Sequence, residues 1–259
     1  MSISILVATH KRAEMPTDGA YLPVHVGRAL STCDLGIQGD DEGANISSLN
    51  RSYCELTAVY WAWRNLDADV YGLSHYRRYF AGSAVGPSGS EILSEHEVED
   101  LMDRYDVVVA RRRRYVIETV ESHYRNAHHG SDLGLLAEAI ERLAPDYLPA
   151  LEAVLRGRSL SLYNMFLMRR ETFDAYASWL FPILECVADQ LDQADRTAFQ
   201  QRSIGYLAER LLNVWVMAHP ELRVRHQRVV HVEGQARIKK IVRMLQRKFG
   251  STSVETREA

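Results

Sequence analysis

The sequence predicts an α/β fold built on a mostly parallel sheet. Short apolar runs alternate with longer segments of helical periodicity through most of the 259 residues. Two of these runs end abruptly in clusters of basic side chains, a pattern typical of strands whose carboxyl ends face a ligand. The alternation contains no internal repeat, so we expect one Rossmann-like α/β core.

The N-terminal part opens with an apolar run that predicts a buried first strand at residues 3–9. Residues 15–43 contain glycine, proline and aspartate, which predicts a loop-rich stretch with a short strand at 24–26. Apolar side chains then recur at helical spacing over residues 50–65 and predict a helix.

A second apolar run, at residues 70–74, predicts the strand that carries the most informative motif of the chain. The glycine, serine and proline content of residues 82–90 predicts a loop after that motif. Ser94 and Glu97 match the capping-box pattern, so a helix is expected from there to about Arg104.

The C-terminal half repeats the alternation of strands and helices. A strand is predicted at residues 105–110, where it ends in four consecutive arginines, and another at residues 162–168. Helical spacing of apolar side chains predicts helices at residues 118–127, 132–144, 147–155, 171–187 and 204–219.

The composition is that of an ordinary soluble globular protein, with a formal net charge of −3. This charge argues against nucleic acid as a partner. Cys33, Cys54 and Cys186 lie outside any Cys-x-x-Cys pattern, so we expect buried free thiols in a reducing compartment. The first apolar run lacks a basic leader and is too short for a membrane span, which predicts a cytoplasmic protein.

The second strand ends in a histidine and two arginines, His75, Arg77 and Arg78, with Tyr76 and Tyr79 beside them. Adjacent guanidinium groups bring fixed charge and several N–H donors to one point, which suits phosphate oxygens. The aromatic rings could stack on a sugar or a base. The alternative is that both arginines pair with acidic neighbours and that the tyrosines belong to the core.

Two acidic segments are candidates for a metal site. Asp67 and Asp69 form the Asp-x-Asp pattern with which many nucleotide-sugar transferases hold a divalent cation, but they precede their strand, where a turn explains them equally well. The turn that contains Asp41 and leads to Asn45 could bind ribose hydroxyls or a metal, or be a solvated loop. We therefore assign no metal ligand, and Mn²⁺ at one of these segments stays the alternative.

Glu209 shares a face of the last predicted helix with Asn213 and would suit a general base if it points into a cleft. A salt bridge inside the fold is the alternative explanation. His123 and Asp41 are the other candidates for the base. Arg111, at the end of another strand, could join the motif arginines around a phosphate.

The segment Arg237–Lys248 contains six basic and no acidic side chains, with apolar residues on one helical face. Such a helix either lies on an anionic membrane surface or docks its apolar stripe on the domain. We therefore divide the chain into a catalytic domain, residues 1–233, and a basic amphipathic helix with its tail, residues 234–259. Peripheral attachment to the inner face of the cell membrane is one interpretation of this helix.

Several ordered blocks of sequence carry a resemblance to a known family. The blocks are Val7-Ala8-Thr9-His10-Lys11, the turn from Asp40 to Ser47, Tyr53-Cys54-Glu55-Leu56-Thr57-Ala58, Gly72-Leu73-Ser74-His75-Tyr76-Arg77-Arg78-Tyr79, Ser122-His123-Tyr124, Asn164-Met165-Phe166, Trp179-Leu180-Phe181 and Glu209-Arg210-Leu211-Leu212-Asn213-Val214-Trp215. With these blocks in this order, the chain resembles the bacterial capsule and exopolysaccharide biosynthesis family DUF4422.

The resemblance implies a GT-A-like, nucleotide-sugar-binding fold similar to that of galactosyl- and galactofuranosyltransferases. It also implies a UDP-sugar donor and a growing glycan acceptor, which is lipid-linked in this interpretation. We predict an inverting glycosyltransferase in which His75, Arg77 and Arg78 stabilise the leaving diphosphate and Glu209 is the base. The substrate- and nucleotide-binding residues that we predict are Thr9, His10, Lys11, Asp41, Asn45, Tyr76, Tyr79, His123 and Asn164.

Two other functions fit parts of the same sequence. A non-catalytic polysaccharide-assembly module, attached to the membrane through its C-terminal helix, would bind glycan or lipid and no nucleotide. A sugar-phosphate phosphotransferase would use the arginines, but we find no nucleophile or metal constellation for it. The sequence also contains no glycine-rich phosphate loop of the Walker kind, which argues against an ATP-driven kinase.

Overall fold

The fold is an α/β domain, seen in a computed structural model that describes residues 1–232. The predicted basic helix and the tail at residues 234–259 lie outside these residues. The strands are β1 (Ile3–Thr9), β2 (Tyr21–His25), β3 (Gln38–Gly39), β4 (Val70–His75), β5 (Arg78–Val85), β6 (Glu91–Ile92), β7 (Val107–Ala110), β8 (Arg113–Arg114), β9 (Ser159–Leu160), β10 (Phe166–Arg169), β11 (Val224–Gln227) and β12 (Val229–His231).

A largely parallel central sheet confirms the predicted fold class. Its strand order is β3-β2-β1-β4-β10-β7-β11, and all neighbours are parallel except β10, which is antiparallel to both β4 and β7. The strand β5 turns back antiparallel to β4 and pairs with β6 and β12. Strands β1 and β4 are therefore neighbours near the centre, and their carboxyl ends lie at the same edge.

Helices lie on both sides of the sheet. They are α1 (Asn50–Tyr53), α2 (Leu56–Asn65), α3 (Glu95–Arg104), α4 (Val120–Ala127), α5 (Asp132–Leu143), α6 (Leu148–Arg156), α7 (Arg170–Ala188) and α8 (Ser203–Ala218). The capping box predicted at Ser94 and Glu97 is present at the start of α3. The predicted helices from residue 118 onward correspond to α4–α8 within a few residues at each end.

Alternate residues of the central strands supply two separate cores. In β7, Val107 and Val109 pack with α2 and α4–α8, whereas Val108 packs on the side of α3 and β5. In β1, Leu6 packs in the same core as Val107 and Val109, and Ile5 packs in the same core as Val108. Because both faces of these strands are covered, they read in the sequence as continuous apolar runs and not as alternating ones.

Two local predictions are wrong at the level of secondary structure, and two short C-terminal strands were missed. The loop predicted at residues 82–90 begins as strand, since β5 continues to Val85. The helix predicted at residues 50–65 is two helices, because Cys54 has a φ of 53° and ends α1. The short strands β11 and β12 were not predicted, because β11 is mostly polar and β12 is only three residues long.

A buried ion pair fixes the segment between α7 and α8. The Asp132 carboxylate, which is fully buried, accepts hydrogen bonds from Arg196 Nη1 at 2.8 Å and Nη2 at 2.6 Å. The Tyr124 hydroxyl donates to the same carboxylate at 3.1 Å. Arg196 lies six residues before Arg202, so this pair holds the chain that leads into α8.

We expect Asp132→Ala to lower the free energy of unfolding by about 3–5 kcal/mol, because it leaves a buried guanidinium and a buried hydroxyl without their acceptor. Urea unfolding measures this loss. Glu152→Ala is the control, since it breaks an exposed pair with Arg156 at 2.8 Å and should cost less than about 0.5 kcal/mol. A loss below about 1 kcal/mol in Asp132→Ala would show that the pair does not fix this segment.

Among residues 1–232, no helix combines the length and the apolar character that crossing a lipid bilayer requires.

Candidate active site

A cavity of about 650 Å³ opens at the carboxyl ends of β1 and β4. This is the edge at which open α/β sheets bind ligands. The cavity is lined by residues of the first strand end, the α1–α2 break, the β4–β5 turn and α8: Ala8, His10, Val26, Asn50, Arg51, Cys54, Glu55, His75, Tyr76, Arg77, Arg78, Tyr163, Ala198, Gln201, Arg202, Gly205, Tyr206 and Glu209.

The motif that ends β4 is a tight β-hairpin. His75 pairs with Arg78 across the β4–β5 ladder, so Tyr76 and Arg77 form the turn between them. All four residues line the cavity. A two-residue turn fixes the backbone at both arginines, and both guanidinium groups are therefore brought to the cavity by rigid structure.

Aromatic rings hold the basic side chains of the hairpin. The Arg78 guanidinium carbon lies 4.4 Å from the centroid of the Tyr163 ring. The Arg77 guanidinium carbon and the Lys11 ammonium lie 5.5 and 5.1 Å from the Tyr76 centroid. Arg78 Nε is buried and has no hydrogen-bond acceptor within residues 1–232. A bound anion would supply that acceptor.

His75 is neutral in this environment. Its Nε2 lies 2.8 Å from the Tyr163 carbonyl oxygen, which can only accept, so Nε2 carries the proton and donates it. Burial lowers the pKa of His75, the charges of Arg78 and Arg77 lower it further, and Glu55 opposes them. The lowered pKa of His75 leaves Arg77 and Arg78 as the fixed positive charges of the hairpin, and the predicted role of His75 at a diphosphate stays a prediction.

The segment opposite the hairpin is held in a left-handed conformation. Tyr163 and Asn164 have φ values of 75° and 53°, which non-glycine residues adopt only when their surroundings enforce it. The Tyr163 N–H donates to Glu209 Oε1 at 2.8 Å. The Asn164 amide donates to Glu55 Oε1 at 2.8 Å and to the Gly205 carbonyl at 3.1 Å.

Glu55 and Glu209 thus place two carboxylates in one cavity. Burial raises the pKa of Glu209, and the negative charge of Glu55 raises it further, whereas Arg210 and the Tyr163 N–H lower it. Glu209 Oε2 lies 3.2 Å from Arg210 Nη1. Of the Glu209 side chain 17% is exposed, and that part faces the cavity. A carboxylate with a raised pKa in a cleft suits a general base.

Arg202, directly before α8, and the first two turns of α8 close the other side of the cavity. Arg202 Nε donates to Cys54 Sγ at 3.2 Å, and the Arg202 guanidinium carbon lies 5.7 Å from the Tyr206 ring. Gly205 allows this approach, because a Cβ there would lie 3.2 Å from Cys54 Sγ. Burial raises the pKa of Cys54 to about 12, so its thiol is neutral and is not a nucleophile.

Comparison with known proteins identifies the family. Residues 4–220 match the model of a domain of unknown function, DUF4422. The chain belongs to the DUF4422 family. A search of curated proteins found no match.

Among solved structures, this DUF4422 chain is similar to the apo structure of the bifunctional glycosyltransferase WbbM. The TM-score is 0.82, with 28% sequence identity over 90% of this chain and 45% of the WbbM chain. The chain thus spans less than half of the protein it matches. Its fold is that of a glycosyltransferase, as the sequence predicted.

The structure brings six of the predicted residues into the cavity: His10, His75, Tyr76, Arg77, Arg78 and Glu209. Three others, Thr9, Lys11 and Asn164, lie next to residues of the cavity lining. Thr9 is buried, and its hydroxyl donates to the Lys11 carbonyl at 2.6 Å within the turn after β1. The Lys11 ammonium lies over the ring of Tyr76, which lines the cavity. The Asn164 amide donates to Glu55, another lining residue.

Tyr79 is not a stacking residue. Its side chain is fully buried in the core on the α3 side of the sheet, 5.9 Å from the Tyr21 ring. Alternation along β5 explains the error, because residues one position apart on a strand point to opposite faces and Arg78 faces the cavity. The alternative considered for the motif, that its aromatics are core residues, holds for this tyrosine.

The acidic turn after β3 has a structural role. Asp40 accepts hydrogen bonds from the Gly27 and Arg28 N–H groups and from the Ser47 hydroxyl. The Asn45 amide donates to the Asp41 and Gly43 carbonyls at 2.9 Å. Neither Asp41 nor Asn45 lines the cavity, so the structure does not bring these predicted binding residues to the site.

His123 also lies outside the cavity lining, with its ring 4.4 Å from the Tyr115 ring. Asp67 pairs with Arg170, and Asp69 accepts from the Ser2 N–H at 2.7 Å, so both serve the turn before β4. Within residues 1–232, no three His, Cys, Asp or Glu side chains cluster as metal ligands do. The three cysteines are free thiols, but of the three only Cys186 is buried as expected, whereas Cys54 is half-buried and Cys33 is exposed.

Sequence reasoning missed several residues of the site, among them Cys54, Glu55, Tyr163, Arg202 and Tyr206. Helical spacing could have found two of them, since Arg202, directly before α8, stands four residues before Tyr206 and seven before Glu209. Glu55 stands inside a block that carries the family resemblance, next to the break between α1 and α2. The role of Tyr163 depends on a left-handed backbone, for which the sequence gives no glycine signal.

Proposed function

We propose that this chain is a nucleotide-sugar glycosyltransferase that moves a sugar from a UDP-sugar to a growing bacterial surface glycan. The observation that carries the proposal is one cavity, at the carboxyl ends of β1 and β4, in which arginines and carboxylates face each other. Arginines suit a diphosphate, and a carboxylate suits an acceptor hydroxyl. The glycosyltransferase fold supports the same reaction class.

The β4–β5 hairpin is the proposed diphosphate site. Arg77 and Arg78 would bind the diphosphate oxygens, where negative charge grows as the bond to the sugar breaks. Arg78 Nε, which is buried without an acceptor in the described part of the chain, is the donor best placed for this. Tyr76 would flank the nucleotide. The His10 ring stands edge-on to the Tyr76 ring, with 5.6 Å between the two ring centroids.

Glu209 is the proposed base. It would take the proton of the acceptor hydroxyl while that oxygen bonds to the anomeric carbon and the diphosphate leaves with the electrons of its own bond. A single displacement of this kind inverts the anomeric centre and needs no covalent intermediate. In support, both oxygens of Glu209 are oriented, one by the Tyr163 N–H and the other by Arg210.

The family resemblance extends the proposal to the substrates. It implies galactose or galactofuranose as the transferred sugar and a lipid-linked glycan as the acceptor, which would bring the enzyme to the inner face of the cell membrane. No metal is required in this proposal, since the charge that Mn²⁺ supplies in related chemistry would come from the arginines.

Calorimetric titration of UDP, once in EDTA and once with Mn²⁺, tests the proposal. We expect binding in EDTA that weakens in Arg77→Ala and not in Arg114→Ala, an exposed arginine of β8 that does not line the cavity. Binding only with Mn²⁺ would keep the transferase but transfer the diphosphate role to a metal held by carboxylates. No binding in either buffer would contradict the nucleotide-sugar proposal.

A further inference from the structure

A second cavity, of about 580 Å³, lies where β5, β7 and β11 meet. The two cavities share no lining residue. Three arginines line it, Arg111, Arg225 and Arg228, together with His226 and Gln227. All three arginines are exposed, and none lies within 4.0 Å of a carboxylate of residues 1–232.

The charge inside this second cavity is positive at neutral pH. Its one acidic lining residue is Glu97, whose Oε2 already accepts from the Ser83 N–H at 3.0 Å and the Ser94 N–H at 2.9 Å. Burial lowers the pKa of His226, and the charge of Arg112 lowers it further, so His226 is neutral. Three guanidinium groups therefore face one carboxylate that caps a helix.

We propose that the second cavity binds the phosphate or diphosphate group of the acceptor. Guanidinium groups bind such anions with paired N–H donors, and a concave surface lets several of them reach one group. The Gln227 amide donates from Nε2 to the Ala81 carbonyl at 2.6 Å and accepts from Arg225 Nε at 3.4 Å, so it positions Arg225 through one of that residue's N–H groups. This assignment rests on the proposed transferase function, since it names the acceptor for the same reaction.

The two cavities are joined by the β5–β12 ladder. At one end His231 pairs with Arg78, which lines the first cavity. At the other end the Ala81 N–H donates to the Arg228 carbonyl at 2.8 Å, and both residues line the second. The three steps along β5 from Arg78 to Ala81 span roughly 10 Å. A short oligosaccharide could therefore extend from an anion held in the second cavity to the first cavity.

The segment that follows Arg111 carries an exposed apolar tip. Val116 and Ile117 are 85% and 87% exposed. An apolar tip on the segment that leaves the basic cavity at Arg111 fits a phosphate that is borne by a lipid as well as one in solution. The experiment therefore separates these two sources.

The first arm is calorimetry of pyrophosphate on protein saturated with UDP, so that the first cavity is filled. We expect one pyrophosphate site, weakened roughly tenfold or more in the double variant Arg225→Gln/Arg228→Gln. The matched control, Arg113→Gln/Arg114→Gln, removes the same charge nearby and should change the affinity less than about twofold. Absent binding, or equal weakening in both double variants, would overturn the proposal.

The second arm is flotation with vesicles that contain either a polyprenyl diphosphate or phosphatidylglycerol at equal surface charge. Preference for the diphosphate vesicles that is lost with Arg225→Gln/Arg228→Gln would assign a lipid-borne group. Pyrophosphate binding without that preference would assign a soluble phosphate. Equal flotation with both vesicles and no pyrophosphate binding would overturn the site as a phosphate site.

The UDP titration keeps the two proposals apart. Arg225 and Arg228 do not line the first cavity, so their double variant should bind UDP as the unchanged protein does. Intact UDP binding with no pyrophosphate binding refutes the second site alone. Absent UDP binding refutes the proposed function, while the comparison of the two double variants still measures the second site.

Discussion

Arg77→Ala is expected to lower turnover by a factor on the order of 10², the scale for losing one donor to a charge that develops in the transition state. Arg77 stands in the two-residue turn between β4 and β5, where the backbone fixes its position at the cavity. Its guanidinium also lies 5.5 Å from the Tyr76 centroid, so alanine removes both the donor and a contact of that ring. UDP released from UDP-galactose or UDP-galactofuranose measures the effect.

Two matched variants show what causes the loss of turnover in Arg77→Ala. Arg77→Lys keeps the charge but not the planar pair of N–H donors, so we expect an intermediate rate if the diphosphate is bound by paired hydrogen bonds. Arg114→Ala removes an exposed arginine of β8 and should leave the rate unchanged within about twofold. Near-normal turnover in a folded Arg77→Ala protein would remove the arginine clamp from the mechanism.

The strand ends could be located from the sequence because both faces of the central strands are buried. Continuous apolar runs at β1, β4 and β7 predicted these strands, and basic residues after β4 indicated the side of the sheet that binds a ligand. A strand that is exposed on one side gives no such run. For that reason β5 was predicted as a loop beyond residue 82, and the hairpin geometry that aligns Arg77 with Arg78 was not predicted.

The rest of the site depends on contacts between residues far apart in the chain. Asn164 reaches Glu55 across 109 positions, and Tyr163 reaches Glu209 across 46. Neither contact has a local signal, because each follows from a left-handed kink that only the folded structure enforces. The same kink brings the Tyr163 carbonyl to His75 Nε2. This hydrogen bond raises the pKa of His75, but burial lowers it more strongly, and the sequence shows neither effect.

Glu209→Gln is expected to lower turnover by a factor of roughly 10²–10⁴, the range for losing a general base. Glutamine keeps an oxygen that can accept from the Tyr163 N–H, so the kink and the cavity should remain. The pH profile gives the sharper test. Because the base must be ionised, the rate falls as the pH falls through the raised pKa of Glu209, and this acid limb should be absent in the variant.

Glu55→Gln is the matched control for Glu209→Gln, because it also replaces one carboxylate of the cavity with an amide. It keeps an acceptor for the Asn164 amide. The charge of Glu55 raises the pKa of Glu209, so its removal should shift the acid limb to lower pH and leave the rate at neutral pH within about tenfold. If instead Glu55→Gln abolishes both turnover and the acid limb while Glu209→Gln stays active, the base is Glu55 and Glu209 only positions Tyr163.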